Sequence, residues 1–247
     1  MIFLALLAWL LVILGASVGT QALWGAAANS RVIAFVLAPG VIVHEMSHIL
    51  ACLVTGATVK EASLVDSGRG GRVTHTKPAV PVLGQALISL APMVGCGACL
   101  WLATAGFLGP ASAQFVPRHE LPKELLQPGV CAKYLVDVLT EMWAAVAGAD
   151  YRDWRTYLFI YVAITLVIHL SPSRRDWASG MLAIILVCCG VFAVGQVWPD
   201  QVTRPIQTVW PFLTLCLALS LSVCALSLAA IGSVRLIRAL IRAGQGK

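Results

Sequence analysis

The chain has 247 residues, of which 59% are hydrophobic and only 11% charged, and its formal net charge is +6. A soluble domain carries about 25% charged residues, so this composition belongs to a membrane protein. In that class a basic balance sets orientation and meets anionic headgroups, and it is no signal for nucleic acid.

Residues 2–24 form an apolar run without a charged side chain. The positive segment of a secretory signal is missing, so a retained transmembrane helix is expected. Gly15-x-x-x-Gly19 offers it a face for close helix approach. A second apolar span covers about 31–55 and is interrupted by Pro39-Gly40. Such a break is tolerated in lipid where the freed carbonyls face protein or a wet cavity. One turn later stands His44-Glu45-Met46-Ser47-His48, an H-E-x-x-H motif in the middle of the span.

Residues 57–78 are polar. Segments 59–65 and 72–76 flank Asp66-Ser-Gly-Arg-Gly-Gly71, which is turn chemistry, so a short hairpin or loop at the membrane surface is expected. The third span, 79–108, carries Gln85, Ser89 and Pro92, and its Gly95, Gly97 and Ala98 suit close helix packing. Residues 109–155 are the one long polar connection, with Pro110, Pro117, Pro122 and Pro128 at its start. From 131 to 146 the pattern turns helical. Leu135, Val138, Leu139, Met142 and Val146 share one face, with Lys133, Asp137 and Glu141 on another, as in a helix lying flat in the interface. Tyr134, Trp143, Tyr151, Trp154 and Tyr157 suit the aromatic belt at headgroup level.

A fourth span, 156–171, ends in His169-Leu-Ser-Pro-Ser-Arg-Arg-Asp176. A fifth covers 177–198 and a sixth about 208–232. The tail, 233–247, repeats Arg235, Arg238, Arg242 and Lys247 as a surface anchor. Seven of the eight cysteines fall in apolar spans and read as packing residues. Cys96-x-x-Cys99 has no matching second pair.

The expected fold is therefore all-α: a single integral membrane domain over 1–247 with about six transmembrane helices, a small polar hairpin after the second and an interfacial helix before the fourth. Both termini then lie on one side, together with Lys60, Arg69, Arg72, Lys77, Arg174, Arg175 and the basic tail. The positive-inside rule makes that side the cytoplasm of a multi-pass plasma-membrane protein.

A glutamate near the bilayer centre costs about 2.5 kcal/mol or more unless paired or solvated. A metal site removes that cost. Residues four apart on a helix are rotated by only about 40°, so His44 and His48 can share one Zn²⁺, while Glu45, about 100° from His44, borders the metal as a general base. A catalytic zinc takes a third protein ligand and keeps one open position. The candidates are Asp176, His169 and His75. Asp176 heads a helix after a Pro-containing turn, on the same predicted side as the motif.

These residues resemble the site-2 protease family of intramembrane metalloproteases in two patches. One is 38–95: the H-E-x-x-H helix, its Leu-Val-Thr-Gly56 exit, a polar hairpin and Leu-Ile-Ser-Leu-Ala-Pro92, similar to the family's Ala-Gly-Pro region. The other is 165–180. The family there has Asn-x-x-Pro followed by Leu-Asp-Gly, and this chain has His169-x-x-Pro172, then Asp176 and Gly180. The resemblance implies an all-α zinc endopeptidase that hydrolyses a membrane protein or peptide substrate in the bilayer. It implies Glu45 as the catalytic base, His44, His48 and Asp176 as zinc ligands, and substrate contacts at His169 and Pro172. The 57–78 hairpin would offer an edge strand to an unwound substrate.

Three other functions bear on the same residues. A membrane zinc protease with a helix-borne Glu as third ligand needs a Glu in an apolar span after residue 55, and there is none. A metal transporter usually carries polar groups in several spans, and the first, fifth and sixth have almost none. A non-proteolytic scaffold or regulator that retains the zinc site has no need of Glu45.

Overall fold

The computed structural model describes residues 2–27, 31–66, 70–104, 114–117, 122, 125, 127–171 and 177–245. Among them are eight helices and one two-stranded sheet. The helices are α1 (Ile2–Ala27), α2 (Arg31–Val36), α3 (Ala38–Thr55), α4 (Pro81–Leu102), α5 (Pro128–Ala147), α6 (Trp154–Ile168), α7 (Trp177–Val197) and α8 (Pro199–Gln245). The strands β1 (Val59–Asp66) and β2 (Gly70–His75) pair antiparallel between α3 and α4.

Five helices are long and apolar enough to cross a membrane: α1, α3, α4, α7 and α8. The fourth expected span is α6. It is apolar but only 15 residues long, about 22 Å at 1.5 Å per residue, against a hydrocarbon core of about 30 Å.

Three details differ from the sequence reading. The break before the motif falls at Leu37, between α2 and α3, and Pro39 sits in the first turn of α3. A helix's first turn has amides without intrahelical partners, so a residue lacking N–H is tolerated there. The stretch before the sixth expected span is helical too. Pro199 opens α8, which runs for 47 residues through Pro205 and Pro211, about 70 Å. Finally, Tyr134 is buried, away from any headgroup belt. Trp143, Tyr151, Trp154 and Tyr157 do face outward.

Tyr134 is drawn inward by partners for its hydroxyl. Trp210 Nε1 donates to it at 2.9 Å, and Thr214 Oγ1 lies 3.3 Å away. Trp9 meets both rings, with centroids 5.5 Å from Tyr134 and 5.2 Å from Trp210. This cluster ties α1 and α5 to α8. The remaining contacts of α5 follow the predicted stripe, with Val138 and Met142 buried. Trp24 Nε1 donates to Ser227 Oγ at 2.9 Å, a second tie between α1 and α8. In lipid such polar ties matter because helix association there rests on packing and hydrogen bonds rather than on hydrophobic burial.

The motif helix α3 packs against α4 on one side and α6 on another, and the hairpin packs onto it as well. Gly56 ends α3 at φ 72°, the left-handed conformation that glycine adopts freely, and its N–H closes onto Cys52 O. Ala79 N then donates to Thr55 O at 3.0 Å, and Thr76 N to Thr58 O at 2.9 Å. The hairpin therefore leaves and re-enters at the end of α3, and is fixed to it.

Candidate metal centre

On α3 the buried residues include Gly40, His44, His48 and Cys52, four apart, with Val41 and Glu45 beside them. Ile42, Met46, Leu50 and Leu53 face outward. The helix thus turns its polar motif inward and its greasy side out. His44, Glu45 and His48 are 6%, 7% and 6% exposed.

Both imidazoles are oriented by main-chain carbonyls. His44 Nδ1 lies 2.8 Å from His169 O, and His48 Nδ1 lies 3.0 Å from Ile88 O. A carbonyl oxygen only accepts, so each Nδ1 carries the proton. That fixes the tautomer and puts the lone pair of each ring on Nε2. The two rings are 5.0 Å apart between centroids. Metal-binding histidines almost always have their second ring nitrogen held by an outer partner in this way, so the pair fits a metal.

Close backbone approach brings those carbonyls within reach. A Cβ at Gly40 would overlap the Thr165 carbonyl oxygen and lie 2.6 Å from His169 Nδ1, so only glycine lets α3 lie this close to the end of α6. A Cβ at Gly95 would overlap Ser47 Oγ, which sets the approach of α4. The turn after α6 is in turn held by α1. Ser17 Oγ donates to Val167 O at 3.1 Å and accepts from Ser171 N at 3.1 Å, and Gln21 Nε2 reaches Ser171 O at 3.5 Å. Ser17 and Gln21 are four apart and face one way on a largely apolar helix, a sequence signal for a polar contact on that face.

The predicted surface hairpin is not remote from the motif. β2 lies over Glu45: a Cβ at Gly71 would overlap the Glu45 side chain, with its Cδ and Oε1 both at 2.8 Å. Gly71→Ala is therefore expected to push β2 off the glutamate. Any hydrolysis that uses Glu45 is then expected to fall at least 10-fold with unchanged thermal unfolding; an equal rate would show that the spacing is unimportant.

Two of the expected ligand and substrate-contact residues fall beyond the described residues. Asp176 and Pro172 lie outside them, as do Arg174 and Arg175. Among the described residues no third His, Cys, Asp or Glu completes a metal-holding group. His75 stands on β2 opposite Val59, with Nδ1 2.7 Å from Thr76 O. His169 is nearer, 6.5 Å from His44 between ring centroids, with Nδ1 2.9 Å from Thr165 O. What His169 contributes directly is its carbonyl, which also accepts from Cys96 Sγ at 3.6 Å.

Comparison with protein-family models, with curated proteins and with solved structures gives no match. The case for this centre rests on its own residues and geometry.

Proposed function

We propose that this protein is an intramembrane zinc metalloprotease, similar in chemistry to the site-2 proteases. The observation that carries the reading is the pair of buried motif histidines beside a buried glutamate, both with Nδ1–H committed to main-chain carbonyls, which makes Nε2 the lone-pair nitrogen of each ring. A helical packing role would not require this shared tautomer at both positions.

In this reading His44 and His48 hold the zinc through Nε2, with Asp176 as third ligand. The bound metal supplies a Lewis acid that acidifies water and polarises a carbonyl. Glu45 takes a proton from water as the oxygen bonds to the scissile carbonyl carbon. It then gives that proton to the amine nitrogen as the C–N bond breaks. The substrate is a membrane protein or peptide that must become extended first, because a helix locks its carbonyls in i→i−4 bonds. The free edge of the hairpin, packed beside Glu45 through Gly71, suits pairing with such an extended segment. His169 and Pro172 would border it. The chain would sit in the plasma membrane with both termini cytoplasmic.

The first experiment is metal analysis of the purified protein in micelles, with cleavage of single-span membrane proteins in the same vesicles. One zinc per chain and cleavage lost on chelation are expected. Zinc without cleavage across a broad substrate panel would favour the scaffold reading, and no zinc would end the metalloprotease reading.

A further inference from the structure

We infer that Pro92 is a positioning residue for His48, acting through the carbonyl of Ile88. In an α-helix the carbonyl of residue i accepts from the amide of residue i+4. Proline has no N–H, and its ring crowds the carbonyl four residues back. Pro92 lies inside α4, and four residues back is Ile88. The Ile88 oxygen accepts from His48 Nδ1 at 3.0 Å.

Three observations converge here. Ile88 is fully buried and His48 nearly so, and a carbonyl deprived of its helical donor in an apolar span needs another. Gly95, one turn after the proline, lets α4 close onto Ser47 of α3, next to the histidine. The second imidazole follows the same logic by another route. His44 uses the carbonyl of His169, at the C-cap of α6, where the helix runs out of amides. Each ring is thus held by a carbonyl that its own helix cannot use. A proline serving only as a kink could stand anywhere along α4; this one stands four residues after the carbonyl that His48 needs.

The consequence for metal affinity rests on the zinc reading above, but the positioning itself can be read without metal. Pro92→Ala restores an amide to bond Ile88 O. In metal-free protein, ¹⁵N-imidazole NMR is expected to show His48 as the Nδ1–H tautomer in wild type and as a mixture in Pro92→Ala. Zinc affinity, measured by chelator competition, should fall about 10-fold, as when other hydrogen-bond partners of metal ligands are lost. The melting temperature of the metal-free protein should hold or rise, because proline is the poorest residue for a helix interior. Pro205→Ala and Pro211→Ala, also inside a helix, should leave His48 and zinc unchanged.

An unchanged His48 tautomer in Pro92→Ala overturns the inference, even with weaker zinc binding. Finding His48 as the Nε2–H tautomer in wild type overturns it without any variant. If wild type binds no zinc, the metalloprotease reading fails, while the tautomer comparison still decides the role of Pro92.

Discussion

Glu45→Gln is expected to lower substrate cleavage by about 10³-fold, in the middle of the range for losing a general acid–base group, while zinc content stays at the wild-type level. Gln keeps the shape and the hydrogen-bonding capacity of the side chain but cannot take a proton near neutral pH. Burial of residue 45 and the close approach of Gly71 leave little room for a different residue to stand in. The two readouts separate the possible roles. Full cleavage by Glu45→Gln would mean that another group activates water. Loss of zinc from the same variant would mean that Glu45 holds the metal or its ligands instead of working beside it.

How much of this was visible in the chain itself depends on how local the signal is. The spans were legible because length and apolarity decide them one segment at a time, and α1, α3, α4 and α7 fall where the runs lie. The inward turn of His44, Glu45 and His48 was legible as well, since residues four apart share a helix face whatever the partner helix is. The partners were not. His169 draws notice in the sequence for its imidazole, whereas the structure uses its carbonyl. A backbone carbonyl has no residue-type signature, and its availability depends on where α6 stops. Ile88 is a similar case, although here a rule could have found it: a proline inside a helix always frees the carbonyl four residues back. The sequence points to a break at Pro39, two residues after the actual one at Leu37, because proline ends helices and also opens them, and only the preceding turn of structure decides which. Tyr134 reads as a belt residue in the sequence because aromatic residues with a polar tip suit a headgroup belt and a buried hydrogen bond equally well. Trp210, 76 residues away, settled it.

A ligand series is the other large expected effect. Zinc held by the four protein ligands of a structural site is worth about 10–16 kcal/mol, or about 2.5–4 kcal/mol per ligand, so removing one should weaken binding by about 10²-fold or more. His44→Ala is therefore expected to yield metal-free protein at ordinary zinc concentrations. It should also destabilise the fold by about 1–3 kcal/mol, because the His169 carbonyl loses its imidazole donor within a buried turn. Asp176→Ala should lose zinc to the same extent but without that second cost, since no carbonyl partner of an imidazole is removed. His169→Ala keeps the carbonyl and should keep zinc. Were Asp176→Ala to retain zinc and His169→Ala to lose it, the third ligand would be the His169 ring. Its Nδ1 is already held toward Thr165 O, so ligation would run through Nε2, and all three imidazoles would then be set by main-chain carbonyls.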